Sequence, residues 1–151
     1  MQTVVVGIGN VLMKDEGVGV HVARALKDLS LPEDVAVIDA GTCSDVAFDL
    51  ETADRVIVVD AAHGGDPPGT IYRLTEDVTR ENGEGLRSTH NVDLLHTLRD
   101  CGFKGRTPEV IVIGIEPKAI DWGLDLSPTV AACLPRVVAI VQEELRGCRC
   151  S

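Results

Sequence analysis

The chain has 151 residues, with 24 acidic and 14 basic side chains and a formal net charge of −10, so it is long enough to bury the core of one domain of ordinary size. A balance this acidic argues against a nucleic acid or an anionic membrane as partner. No apolar run approaches the roughly 18 residues of a membrane span, and the first predicted strand begins almost at Met1, so we expect no signal peptide.

The five cysteines are odd in number and lack the spacing of a disulfide framework, which predicts reduced thiols in a cytoplasmic protein. Cys148 and Cys150 lie at the C-terminus, where a metal site or an oxidisable pair is one interpretation. We prefer a frayed tail over residues 147–151.

The N-terminal stretch predicts a buried strand, a glycine loop and a helix. A β-branched apolar run at residues 4–8 is typical of a buried parallel strand, and Gly9 and Asn10 follow where the chain must turn. From Glu16 onward, apolar residues recur at helical spacing with charged residues between them. These residues are Val18, Val22, Leu26 and Leu29.

The glycine loop matches neither of two familiar phosphate-binding patterns. Leu12 stands where the dinucleotide fingerprint has its third glycine, and no Gly-Lys-Ser/Thr sequence follows, as a P-loop requires. The acidic pair Asp15-Glu16 would also repel a phosphate. The remaining structural interpretation is a tight turn that lets the helix pack on the sheet.

Four further strands are predicted along the chain. They span residues 35–38, 56–59, 70–74 and 110–115. Residues 70–74 alternate in polarity, as expected of a strand at the edge of a sheet. Strands interleaved with helices predict an α/β fold, namely a single three-layer domain over residues 1–146 with a mostly parallel twisted sheet and helices on both faces.

Three further helices are expected. Two short ones fall at residues 44–50 and 92–102. The last runs from Pro128 to about Leu145, with Ser127 as its N-cap and proline in its first position. Pro135 lies inside this helix and should kink it or restart it.

Acidic residues and one histidine recur where the predicted strands and loops end. They are Glu16, Asp39, Asp60, His90 and Glu116. Because parallel strands bring their carboxyl ends to one edge of a sheet, we expect these side chains on a solvent-facing rim. Taken singly, an aspartate after a strand is often only a helix cap or a turn former. Two carboxylates and an imidazole with open coordination positions suit a borderline divalent cation, and zinc, manganese, cobalt and nickel all fit.

Four ordered blocks along nearly the whole chain resemble the hydrogenase maturation proteases. These endopeptidases trim the C-terminal extension of the NiFe-hydrogenase large subunit. The first block is Gly7–Leu12 with Asp15–Gly19, and the second is Val58–Ala61 followed by Pro68 and Gly69. The third is Ser88–His90, and the fourth is Gly114–Pro117 with Gly123-Leu124 and Leu126–Pro128.

The resemblance implies catalytic and metal-contacting roles for Glu16, Asp60 and His90. This triad would recognise nickel already inserted in the hydrogenase large-subunit precursor, so that cleavage follows metal insertion. The nickel is then supplied by the substrate, with another divalent metal as the alternative in the isolated protein. Asp39 is carried over as a further catalytic position that contacts the substrate.

Several alternatives stay open at this point. Asp39 and His63 both compete for the role of activating water. A non-cleaving checkpoint that senses nickel loading and a nucleotide-binding α/β enzyme remain alternative functions. Residues 75–89 are polar and rich in glycine, which predicts a long, mobile surface loop. The sequence does not identify the hydrogenase or the oligomeric state.

Overall fold

The computed structural model describes residues 2–41, 54–75 and 109–147. Several predictions fall outside these residues. They are the helices at 44–50 and 92–102, the loop at 75–89 apart from Thr75, His90, and the two cysteines of the tail.

Five strands form one sheet. They are β1 (Thr3–Ile8), β2 (Val35–Gly41), β3 (Arg55–Ala61), β4 (Ile71–Thr75) and β5 (Glu109–Ile115). Their order across the sheet is β2-β1-β3-β5-β4. All neighbours run parallel except β4, which pairs antiparallel with β5 at the edge. The five predicted strands are therefore present, and the edge position of the alternating strand is confirmed.

The first helical segment is shorter than predicted. A 3-10 helix at Lys14–Gly17 leads directly into α1 at Val18–Lys27, so α1 ends before Leu29. The amides of Asp28 and Leu29 bond to carbonyls only three residues back, and Leu29 is 41% exposed beyond this tighter turn. The prediction that Leu29 extends the apolar face of the helix is wrong.

The final helix, α2, spans Pro128–Gly147. Its predicted cap is confirmed, because the amide of Val130 donates to Ser127 Oγ at 3.4 Å. Pro135 does not restart the helix, which runs through it without a break. Pro135 is exposed, so the carbonyl that loses its N–H partner lies on the side where water can replace it.

Both faces of the sheet are buried. One face packs against α1 and α2 through apolar side chains of β1, β3 and β5. On the opposite face, a second row of apolar side chains is at most 5% exposed. Its members include Val4, Val6, Val56, Val58 and Val112. A mostly parallel sheet that is buried on both faces and flanked by helices confirms the predicted α/β class.

No helix among the described residues is long and apolar enough to cross a membrane.

Candidate active site

The central crevice of the sheet lies between β1 and β3. β2 adjoins β1 on one side, and β3, β5 and β4 extend on the other. The chain therefore moves outward in opposite directions from these two strands, and their carboxyl ends flank a topological switch point. Ligands of open α/β sheets bind in the crevice at such a point. Glu16 follows β1 and Asp60 lies near the end of β3, so both belong to this edge.

Glycines bring the helical segment against the ends of these strands. A Cβ atom on Gly19 would lie 2.1 Å from the carbonyl oxygen of Val59 and 2.4 Å from that of Ile8. Gly9 has a φ of 146°, and a Cβ atom there would lie 2.0 Å from the carbonyl oxygen of Glu16. Backbone therefore fills the space beside the glycines. The glycines serve close packing, which places Glu16 beside the crevice.

Asp15, the neighbour of Glu16, is a buried anchor. It is 0% exposed, and its carboxylate accepts the amides of Lys118 at 2.9 Å, Ala119 at 2.8 Å and Ser127 at 2.8 Å. The hydroxyl of Ser127 donates to the same carboxylate at 2.7 Å. The two neighbouring acids thus have different roles, because Glu16 is half-buried and Asp15 fastens the loop at residues 117–127.

The hydrogen bonds to Asp15 also keep it ionised. Burial by itself would raise the pKa of this carboxyl, but the donors from Ala119, Ser127 and Lys118 outweigh burial and hold the pKa below its usual value of 3.8. Donors that bond to a carboxylate favour its charged form.

Asp60 is buried, contrary to the expected solvent-facing position. Its exposed fraction is 0%, and its Oδ1 accepts the amide of Ala61 at 2.8 Å. In the sheet Asp60 pairs with Gly114 of β5. Because side chains alternate along a strand, Asp60 follows Val58 on the face opposite α1 and α2.

Asp39 lies within β2 rather than after it, so its predicted place beyond the strand end is corrected. It pairs with Gly7 of β1, and Arg24 of α1 donates to it through Nε at 3.1 Å. The two side chains are 25% and 57% exposed. An ion pair this open to water contributes only about 0–1 kcal/mol. The pair ties Asp39 to the surface of α1.

Glu116 organises the loop that follows β3. Its Oε1 accepts the amides of Gly64 at 2.9 Å and Asp66 at 3.1 Å, together with the Tyr72 hydroxyl at 2.9 Å. Burial of Tyr72, and its hydrogen bonds to Glu116 and Asp66, raise the pKa of the phenol well above its usual value. Tyr72 therefore stays a neutral donor. Glu116 is 5% exposed, and these contacts give it a structural role in the loop.

The same carboxylate faces His63. The distance from His63 Nδ1 to Glu116 Oε2 is 3.7 Å, and the His63 side chain is 56% exposed. The loop after Asp60 thus presents an accessible imidazole that is held on one side by a buried carboxylate. His63 was considered in the sequence as a group that activates water, and this position keeps it a candidate.

The third predicted triad member, His90, lies outside the described residues. Within residues 2–41, 54–75 and 109–147, no three His, Cys, Asp or Glu side chains gather as metal ligands. The structure therefore brings Glu16 and Asp60 to one edge, and the completion of the triad by His90 stays a prediction.

The fold and this edge define an open, mostly parallel α/β protein with carboxylates at its switch point. The family model described as hydrogenase maturation protease matches residues 20–144. The chain is 29% identical over 150 residues to the hydrogenase 2 maturation protease of Escherichia coli K12, covering 97% of this chain and 92% of that one.

Two solved structures have the same fold. The hydrogenase maturating endopeptidase HybD from Escherichia coli superposes with a TM-score of 0.87 at 29% identity, covering 97% of this chain and 93% of that one. The NiFe hydrogenase maturation protease HybD from Thermococcus kodakarensis superposes with a TM-score of 0.83 at 27% identity, covering 95% of this chain and 98% of that one. The chain belongs to the hydrogenase maturation protease family.

Proposed function

We propose that this chain is the endopeptidase that removes the C-terminal extension of a NiFe-hydrogenase large-subunit precursor after nickel has been inserted. Glu16, Asp60 and His90 contact the nickel of the precursor. The observation that carries the proposal is the placement of Glu16 in the 3-10 helix after β1 and of Asp60 near the end of β3, the two strands that flank the switch point, in a chain of this family.

The charge of this crevice supports a cation as its ligand. Burying an ionised carboxylate is costly unless hydrogen bonds or a cation compensate it. Asp60 is fully buried and Glu16 half-buried at the same edge, and both carboxylates would serve as ligands of the nickel of the precursor. Oxygen and imidazole donors suit this borderline metal.

Nickel held there is part of the substrate. When it lies near the scissile bond, such an ion polarises a carbonyl and lowers the pKa of a bound water. This chain positions the ion through its carboxylates. His63 lies three residues after Asp60 and is accessible to water. We therefore propose His63 as the group that activates water, in preference to Asp39, which is hydrogen-bonded to Arg24.

The nucleotide-binding alternative loses its support from the glycine loop, because the carbonyls of Glu16 and Val59 lie against the glycines. The alternative of a non-cleaving checkpoint can be distinguished from a protease, since it predicts binding without any change in the mass of the precursor.

The experiment compares nickel-loaded and nickel-free precursor in parallel. The enzyme is stripped with a chelator and desalted, and the products are weighed by mass spectrometry. We expect cleavage of the loaded precursor only, because the nickel bridges the two proteins. Equal cleavage of both forms, or activity that returns only with added zinc, would replace this mechanism with that of an ordinary metalloprotease.

A further inference from the structure

Large apolar side chains are exposed beside the crevice. Within the described residues, the exposed large hydrophobics are Leu12, Leu29, Ile120, Trp122 and Leu124, at 50%, 41%, 42%, 75% and 64%. All but Leu29 come from two segments, the turn before the 3-10 helix and the 117–127 loop. We call these four residues the Trp122 patch.

Main-chain hydrogen bonds join the two segments. The amide of Lys14 donates to the carbonyl of Gly123 at 2.9 Å, and the amide of Gly123 donates to Leu12 at 2.9 Å. The amide of Asp15 donates to Ala119 at 3.1 Å, while its carboxylate binds the loop at both ends. The patch is therefore a fixed surface, and little conformational entropy is lost when a partner covers it.

The patch is continuous with the proposed nickel-contacting edge. Leu12 lies four residues before Glu16, and the amide of Glu16 donates to the carbonyl of Met13 at 3.2 Å. A protein that brings a metal ion to Glu16 must approach within one turn of Leu12. Tryptophan in the centre of a contact is often among the residues that contribute most to binding.

The charges around the patch favour a different protein over a second copy of this chain. A cavity of about 420 Å³ adjoins the patch, and Lys14, Lys118 and Asp125 contribute its charged side chains. The two lysines lie among acidic residues of the same segments, including Asp121 and Asp125, in a chain with a net charge of −10. Two copies would repel one another through that net charge, whereas a partner with a carboxylate near its apolar surface would be attracted.

We propose that the Trp122 patch is the docking surface for the large-subunit precursor. This inference rests on the proposed function and extends it by naming the contact. The precursor covers the patch with apolar side chains and directs an acidic group towards Lys14 and Lys118. The nickel then reaches Glu16 from the side of the 3-10 helix.

The single tryptophan provides a direct test. Trp122 is the only tryptophan in the chain, so labelling with 5-fluorotryptophan gives one fluorine resonance. Unlabelled, nickel-loaded precursor is added to the labelled enzyme. We expect the resonance to shift and its solvent isotope effect to fall, because the exposed indole becomes covered. An unchanged resonance in a mixture that still cleaves the precursor would overturn the inference.

Variants supply the second measurement. Trp122→Ala combined with Leu124→Ser should raise the KM for the precursor about 30-fold and change kcat little, because docking is weakened and the reacting groups are untouched. Trp122→Phe keeps an aromatic ring and should retain most of the affinity. Leu29→Ser is the matched control, since this exposed leucine follows the distant end of α1, and it should leave KM unchanged.

The outcomes separate this inference from the proposed function. If wild-type enzyme covers Trp122 with the precursor but never changes its mass, the protease assignment fails and docking stands. If wild-type enzyme cleaves and the double variant has a normal KM, docking at the patch fails and the protease assignment stands. A resonance that shifts with enzyme concentration alone, together with a dimer in sedimentation, would assign the patch to a second copy and overturn the inference.

Discussion

Buried carboxylates at the two ends of the sheet have different kinds of partner. At the amino end, Arg55 and Glu144 form an ion pair, with 2.7 Å between Arg55 Nη2 and Glu144 Oε2 and with side chains 6% and 14% exposed. Arg73 donates to the same carboxylate. At the carboxyl end, the buried Asp15 instead accepts backbone amides and a hydroxyl.

The difference shows which charges the fold neutralises for itself. Arginine cancels the charge of Glu144, and the cluster contributes to stability. Backbone amides and hydroxyls stabilise a carboxylate while leaving its full negative charge in place. At the carboxyl end the amide of Ala61 supports Asp60 in the same way. Hydrogen bonds of this kind are compatible with the cation that we propose for this edge.

The largest expected effect is a loss of processing activity in variants at the carboxyl end of the sheet. Glu16→Gln and Asp60→Asn should each lower the rate of precursor processing at least about 1,000-fold, because each removes a charge from the proposed nickel contact. Asparagine at position 60 still offers an oxygen to Ala61, so circular dichroism should show a folded protein. The exposed Glu143→Gln is the matched control and should keep wild-type activity. Normal processing by both site variants would sink the assignment of the nickel contacts.

The next effect concerns the anchor of the 117–127 loop. Asp15→Asn should cost about 3 kcal/mol in the free energy of unfolding, because the new amide group would face donors that the carboxylate now satisfies. Asp125→Asn, an exposed change on the same loop, should stay within about 0.5 kcal/mol of the wild type. Urea denaturation measures both values. A loss below about 1 kcal/mol for Asp15→Asn would contradict an anchoring role.

The smallest effect concerns the amino end. Glu144→Gln should cost about 2 kcal/mol at neutral pH, because it removes the 2.7 Å ion pair of the buried Arg55 and leaves it facing the more exposed Glu109 at 3.8 Å. Processing by this variant should match the wild type, since the cluster lies at the opposite end of the sheet. Glu143→Gln again serves as the neighbouring exposed control. If Glu144→Gln lost as much activity as the Glu16 and Asp60 variants, the carboxyl end of the sheet would no longer be distinguished as the functional end.

The same variant sharpens the comparison through pH. The Arg73 hydrogen bond, together with Arg55, holds the pKa of Glu144 below its usual value of 4.5 in the folded chain. The ionised group therefore stabilises the fold above about pH 4.5, and this contribution is lost as the pH falls through the lowered pKa. Between about pH 5 and pH 3, the wild type should lose more stability than Glu144→Gln. Parallel curves would exclude Glu144 as a source of acid sensitivity.

The sheet was predictable because its strands are consecutive β-branched residues. Val56 to Val59 form such a run, and no helical period competes with it. The end of α1 at Lys27 was harder to predict, because Leu29 keeps the helical spacing although α1 has ended. Pro135 was predicted to kink or restart the helix. The restart is wrong, because the sequence does not show that Pro135 lies on the exposed side of α2.

The site was predictable only as a set of positions near one edge. The sequence shows Asp15 and Glu16 as an acidic pair, but it does not show which carboxylate turns inward. That difference depends on amides about 100 residues away, at Lys118 and Ala119. Glu116 was expected on the open rim, but its contact with Tyr72 depends on the antiparallel pairing of β4 with β5.

Because Asp15 fixes the two ends of the 117–127 loop, the residues between them can be exchanged between homologues. Asp15 holds the loop only at its roots, through the amides of Lys118 and Ala119 and through Ser127. Every amino acid except proline offers such an amide, so the identity of the intervening side chains matters little to these hydrogen bonds. Provided that Gly123 is kept, residues 120–126 can be grafted from one homologue to another as a unit. With the proposed docking at the Trp122 patch, such chimeras should exchange partner preference while Glu16 and Asp60 stay in place.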